Sequence, residues 1–447
     1  MVDCLVSSRR MAVEIPLYTA PDRACLPLVR RVTQALYDRS LSDVAGAVAA
    51  ELARAEIASQ IKPGARIAIA VGSRGIASIA IVVKEVVATL RRAGAEPFLV
   101  PAMGSHGAST AAGQVEVLEG LGMSEAAVGA PIRATMDTVQ LGTLDDGTPI
   151  HFDAIAAAAD GIVVINRVKP HTGFRGKLES GIAKMLVLGM GKALGVTTMH
   201  ARGASKSFDV LIPRGLELIV RRAPVLFGLG LVENAYEQLT KIEVMAADQI
   251  ATREPHLLEF ARETMARLLF DEIDVLVLEE IGKDVSGQGF DPNVVGRNAR
   301  SIGGEWGGGT SVTRLVALGL SAGSHGNAFG IGELDIVTER LMQSVDLEST
   351  YANVIACTHI ELAAIPIVAA TSADAIALAM HTVPGRDPSK VRLVHARSTK
   401  DLAEVFVSEG LYEYVANDAR SSKLAFSGPP RPLVVGDEAR PWTANDR

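Results

Sequence analysis

Short apolar runs alternate with longer amphipathic segments along this chain. Arg66–Val71, Glu96–Pro101, Gly161–Ile165, Asp274–Leu278 and Val354–Cys357 read as buried strands. Ile76–Ala93 reads as a helix between the first two, and Thr110–Leu121 as another, closed by Gly122. In Glu254–Phe270, the apolar residues Leu257, Leu258, Phe260, Ala261, Met265, Leu268 and Leu269 recur near the 3.6-residue period of a helix. Strands alternating with helices predict an α/β fold with mainly parallel sheets covered by helices on both faces. The pattern predicts an N-terminal α/β domain over residues 1–270 and a C-terminal α/β domain over 271–426. An irregular tail, rich in proline and charge, is expected over 427–447. Ligands of such sheets bind at the carboxyl ends of the strands, and the cofactor and substrate site is expected in the cleft between the two domains.

The length of 447 residues and a hydrophobic content of 48% leave room for two domains with cores of their own. A net charge of -7 without any Lys/Arg block argues against a nucleic-acid partner. An aromatic content of 4% offers no base-stacking platform. Cys4, Cys25 and Cys357 are too far apart for a disulfide framework or a Cys-x-x-Cys metal site and read as reduced thiols. No apolar run follows Arg9 and Arg10, and Lys84 and Glu85 interrupt the run from Ile79 to Leu90. No stretch approaches the roughly 20 apolar residues of a membrane span. No signal peptide, no membrane contact and a cytoplasmic location are therefore expected.

Three loops follow the N-terminal strands. Gly72-Ser73-Arg74-Gly75 stands directly before a helix. It reads either as a plain turn or as an anion site, with close-approaching backbone, helical N–H groups and the Arg74 fork. Gly104-Ser105-His106-Gly107 puts an imidazole where substrates bind in this architecture, as a proton carrier or as a loop histidine. The third region runs from Asn166 to Arg202. It gathers four lysines, three arginines and two histidines among many glycines. In an acidic chain this concentration of cations points to an anionic ligand. Apolar Ile182, Met185, Leu186, Val187 and Leu188 bury part of it, a setting in which a lysine becomes a nucleophile or covalent anchor. Gly189-Met190-Gly191-Lys192 is not a phosphate loop, because Ala193 stands where Ser or Thr is needed. Nor is it a dinucleotide fingerprint, because the third glycine is displaced to Gly195.

Three features together resemble the nickel-dependent lactate racemases. They are the Gly104-Ser105-His106 turn, the run from Pro170-His171 through Gly173-Phe174 to Ser180-Gly181-Ile182-Ala183-Lys184, and His200, sixteen residues after Lys184. The resemblance covers residues 60 to 205. It extends more loosely over 270 to 345, through Lys283–Arg297 and Gly326-Asn327-Ala328. It implies a nickel-pincer nucleotide, a pyridinium mononucleotide with two sulfur-bearing carboxyl substituents, held covalently by Lys184. It implies His200 as the protein's nickel ligand, with the remaining donors from the cofactor, a soft set suited to square-planar nickel. Gly72, Ser73, Arg74, Ser180 and Gly181 are the implied contacts for the rest of the nucleotide. His106 and His171 are the implied acid/base pair of a racemase or epimerase that inverts C2 of a small 2-hydroxy acid.

Two departures stand out. The family's acidic, Thr-Arg-Pro-containing loop after the first strand is replaced by Gly72-Ser73-Arg74-Gly75, and only the arginine survives. The segment from His171 to Lys184 is three residues longer than in the family, which makes Lys177 a rival anchor and leaves room for a larger hydroxy acid. In the second domain Arg74 is joined, as candidate substrate contacts, by Lys283, Asp291, Asn293 and Arg297, with Arg300 as an alternative. Asp291-Pro292-Asn293 is also a turn signal by itself. Trp306 and Gly307–Gly309 read as a lid or as packing. Expected partners are the hydroxy acid, the enzymes that make the cofactor, and possible further copies of the chain. Two other classes stay open: a zinc-dependent hydrolase built on His106, His171 and His200, although no His-Glu-x-x-His pair exists, and a non-catalytic hydroxy-acid-binding homologue.

Overall fold

The computed structural model describes residues 15–20, 26–203, 207–297, 310–357, 359–416 and 419–435. These form two compact units. One is Asp38–Met265, and the other combines the residues before it with those from Ala266 onward. Cys4, Cys25, Arg300, Trp306 and Gly307–Gly309 lie outside the described residues.

The first strand, β1 (Leu28–Gln34), belongs to the second of these units. Asp38–Met265 carries β2 (Arg66–Val71), β3 (Glu96–Pro101), the hairpin β4 (Thr138–Thr143) and β5 (Pro149–Asp153), β6 (Gly161–Arg167), β7 (Val225–Glu233) and β8 (Leu239–Ala246). Its five-stranded sheet has the order β3-β2-β6-β7-β8. All pairs are parallel except β7 with β8. Both faces are covered, so its central strands are apolar in continuous runs, such as Ile67–Val71 and Ile162–Ile165, rather than alternating. Ile67, Ile69 and Val71 pack with the helix Ile79–Arg92. That helix buries Ile79, Val82, Val83, Val86, Val87 and Leu90, a single apolar stripe. Ala68 and Ala70 face the opposite layer, built from Ile182–Lys184, Phe208–Arg222 and Ile250–Thr264.

The other unit carries β9 (Glu272–Leu278), β10 (Ser311–Ala317), β11 (Ile336–Thr338), β12 (Ile367–Ala369), β13 (Leu393–Ala396), β14 (Glu404–Ser408) and β15 (Leu424–Pro432). With β1 they form one sheet of order β12-β11-β10-β9-β13-β14-β1-β15. The first five are parallel, and the β14-β1-β15 end is antiparallel.

Three expectations change here. The N-terminal stretch leaves the expected 1–270 domain, because β1 pairs with β14 at Val29↔Ser408 and with β15. Residues 427–432 of the expected irregular tail complete β15. Pairing between segments that far apart leaves no local periodicity to detect. Val354–Cys357, expected as a strand, falls at the end of the helix Leu347–Ala356. A four-residue apolar run is compatible with either state. No single helix among the described residues is long and apolar enough to cross a membrane.

Candidate active site

The three loops named by the sequence converge because their strands are neighbours in register. Val71 of β2 pairs with Pro101 of β3 on one side and with Ile165 of β6 on the other. Gly72 backs onto the Met185 side chain and Asn166. Gly104 adopts φ +61°, and a Cβ there would lie 2.6 Å from the Val196 methyl, so glycine is required on both counts. The Ser73 hydroxyl makes a short hydrogen bond with His106 Nδ1. His106 itself is exposed. Arg74 shows surface to solvent yet is crowded by protein. Its pKa is lowered by desolvation and then by Arg167, and it remains a cation at neutral pH.

The loop after β6 is closed by backbone hydrogen bonds between Lys169 and Ser180. Inside it lies Glu179, fully enclosed. Its carboxylate accepts the N–H of His171 at 2.6 Å and of Gly176 at 3.0 Å, and pairs with Arg262 at 2.6 Å. Arg175 stands 3.6 Å away. His171 stacks on Phe174 with ring centroids 4.3 Å apart, and its Nδ1 accepts the Gly173 N–H at 2.9 Å. That bond fixes the neutral ring with its proton on Nε2. Burial holds the imidazole well below 6.5, and the charges of Lys184, His200, Arg175 and Arg74 add to the effect.

Lys184 ends a short helical turn, Ile182–Lys184, that runs into a wide π-helical turn, Met185–Gly189. The chain then bends by 104° into the helix carrying His200. A run of rings joins the two limbs: His171 to Phe174, Phe174 to Phe208 at 5.4 Å, and Phe208 to His200 at 5.1 Å. His171, Lys184 and His200, distant in sequence, therefore share one neighbourhood with Arg74 and Arg175. Lys177 lies on the exposed part of the loop, whereas Lys184 is half-buried. The carboxylates near these loops are already engaged: Glu179 as above, and Glu233 by Arg167 and the Ala77 N–H. The cluster therefore keeps a positive field suited to an anion.

Two buried groups escaped the sequence reading. Glu254 lies on the buried face of Ile250–Thr264, and its Oε2 accepts the N–H groups of Ile182 and Ala183 at 2.7 and 3.2 Å. Burial raises its pKa from 4.5 to about 7. Gly181 makes room for it, since a Cβ there would meet Glu254 Oε1 at 2.5 Å. A carboxylate at a core position of an amphipathic helix is the signal that was available. The other is Lys192, fully buried against Asp153 at 2.8 Å. Desolvation lowers its pKa and Asp153 opposes the shift.

In the other unit, the polar groups of the expected substrate contacts are satisfied locally. Lys283 donates to the Gly287 carbonyl at 2.9 Å and lies 3.9 Å over the Phe329 ring. Asp291 caps Pro292–Val295 and accepts from both the backbone and the side chain of Asn293. Arg297 forks onto Asp335, which also accepts the Leu315 N–H. Turn formation and ion pairing account for Asp291, Asn293 and Arg297. Among the described residues, no three His, Cys, Asp or Glu side chains gather as a metal site. His106, His171 and His200 are thus not the three-ligand set a zinc hydrolase needs. A single histidine whose co-ligands come from a bound cofactor is compatible with this arrangement.

Residues 19–208 match the lactate racemase N-terminal domain family. No protein among curated sequences matches the chain. Several solved structures are similar to it. The lactate racemase apoprotein from Thermoanaerobacterium thermosaccharolyticum is 13% identical, with 86% of this chain and 100% of that one covered and a TM-score of 0.49. A structural-genomics protein from Thermotoga maritima is 14% identical, with 82% and 99% covered and a TM-score of 0.50. The likeness to the Thermotoga protein is one of fold alone.

Proposed function

We propose, from the match of residues 19–208 to the lactate racemase N-terminal domain family, that this chain is an isomerase inverting C2 of a small 2-hydroxy acid. The observation that carries the reading is the convergence of His171 and His200 through the Phe174–Phe208 ring contacts, with Lys184 near enough for its charge to act on the His171 imidazole. Those are the residues that the family motif names as acid/base, anchor and metal ligand.

The residues fit a nickel-pincer nucleotide. The positive field of Arg74, Arg175 and Lys184 suits its phosphate and carboxyl groups, and the protein offers one histidine rather than a complete ligand set. Lys184 would hold the group covalently and His200 would ligate the nickel. When bound, the group supplies a hydride acceptor beside substrate C2. The protein's share is proton transfer and positioning. His106 takes the 2-hydroxyl proton at Nε2 when its Nδ1–H donates to the Ser73 oxygen. His171, neutral and protonated at Nε2, donates a hydrogen bond to a substrate oxygen. For the opposite enantiomer the roles exchange, which requires the Gly173 amide to move off Nδ1 so that Nε2 becomes basic. Arg74 is the fork for the substrate carboxylate.

The test is intact mass spectrometry of the protein co-expressed with the cofactor-making enzymes and supplied with nickel. A nucleotide-sized mass gain is expected in the wild type and in Lys177→Ala, absent from Lys184→Ala, and accompanied by inversion of a 2-hydroxy acid. Racemisation by protein free of metal and cofactor would overturn the proposal.

A further inference from the structure

Lys192 combines two unfavourable features. Its side chain is fully buried with a formal charge, and its backbone sits at φ +53°, where glycine is the favoured residue. Burying an ion pair is seldom a gain in stability over well-packed apolar residues. A lysine kept there points to what its ammonium holds.

The Nζ contacts Asp153 at 2.8 Å, donates to the Pro101 carbonyl at 2.6 Å and donates to Gln114 Oε1 at 3.2 Å. Gln114 is fully buried, and its Nε2 donates to the Gly104 carbonyl at 2.8 Å and to the His106 carbonyl at 3.3 Å. Three carbonyls between the end of β3 and the imidazole are therefore fixed from within the core. Gly104 N–H, donating to the Gly189 carbonyl at 3.0 Å, adds a fourth tie to the same turn. Asp153 is itself anchored, since its Oδ1 accepts the Ala156 N–H. His106 stands at the exposed end of this chain of contacts, with its Nδ1 against the Ser73 hydroxyl.

We propose that the buried Lys192–Asp153–Gln114 network positions His106, fixing the backbone of the Pro101–His106 turn so that its Nδ1 meets the Ser73 hydroxyl. Lys192 and Gln114 are positioning residues, because they act through the turn and touch no reacting atom. The role of His106 as acid/base rests on the functional reading above, but its placement by this network does not.

The experiment uses apoprotein with labelled histidine, comparing wild type, Gln114→Met and the double variant Lys192→Met/Asp153→Asn. Gln114→Met keeps volume and removes the two donors. The double variant removes both charges together, so neither is left buried alone. The imidazole nitrogen resonances of His106 report its hydrogen bond to Ser73, and those of His171 serve as an internal control. The expected result is loss of the hydrogen-bonded Nδ1 signature of His106 in both variants, with His171 unchanged. In protein loaded with cofactor, kcat should fall about 100-fold, the scale of an ångström-sized misplacement, while KM changes little. A His106 spectrum identical to wild type in both folded variants would overturn the proposal. If His106 responds but the loaded wild type inverts no hydroxy acid, the positioning stands and the functional reading fails. If the loaded wild type racemises and both variants keep its kcat and its His106 spectrum, the positioning fails alone.

Discussion

Glu254 lends itself to a quantitative test of how the Lys184 segment is held. Its carboxyl is enclosed at the start of Ile182–Lys184, with a folded pKa of about 7 against 4.5 unperturbed. The folded state therefore binds this proton more tightly than the unfolded state. Its contribution to stability is complete below pH 4.5 and is lost as pH rises through 7. The shift corresponds to about 3 kcal/mol in full, most of it between pH 5 and pH 8. Glu254→Gln keeps an oxygen for the Ile182 and Ala183 N–H groups and removes the titration. The stability of the variant minus that of the wild type should therefore rise by roughly 2 to 3 kcal/mol from pH 5 to pH 8. Taking the difference cancels the other titrating groups, His171 among them. The chain divides into two units, so a single unfolding midpoint would mix them. Hydrogen exchange of the slowest amides of the Ile250–Thr264 helix, followed in urea, isolates the relevant one. Two curves that stay parallel across this pH range would show that Glu254 ionises like an exposed carboxyl, and the buried-cap argument would be wrong.

Two further outcomes follow from the loop after β6. The His171 ring should remain neutral through pH 6.5 and above, with flat imidazole shifts where a free imidazole titrates. Because the unfolded chain takes up that proton first, His171 should cost stability as pH falls below 6.5, and a normal titration curve would contradict its burial. Glu179→Ala should destabilise the Asp38–Met265 unit by about 3 kcal/mol, since it strips a buried partner from Arg262 and from two backbone N–H groups. Glu179→Gln should lie between it and wild type in urea unfolding.

The elements around the candidate site could be read from the sequence because they are short and strongly patterned. β2 and β3 fall at Arg66–Val71 and Glu96–Pro101, as the apolar runs indicate, and a parallel sheet brings its loops to one edge. His106, His171, Lys184 and His200 were nominated by motif spacing, which is local and needs no tertiary information. What sequence could not supply was the set of groups that hold them. Glu179 reads as one more charge in a charged loop until its carboxylate is seen enclosing the backbone of His171. Glu254 reads as an ordinary helix residue and Lys192 as the end of a failed phosphate-loop pattern, and their significance comes from burial against segments some 70 to 90 positions away. The assignment of β1 and β15 to a sheet with the C-terminal strands was likewise invisible, because hydrogen bonding between distant segments leaves no periodic trace in either. The sequence by itself determined the α/β pattern and the family motif that nominates the candidate site residues. The tertiary structure decided which neighbours hold the His106 and His171 rings and which buried charges lie behind them, because those depend on distances and desolvation that exist only once the chain has packed.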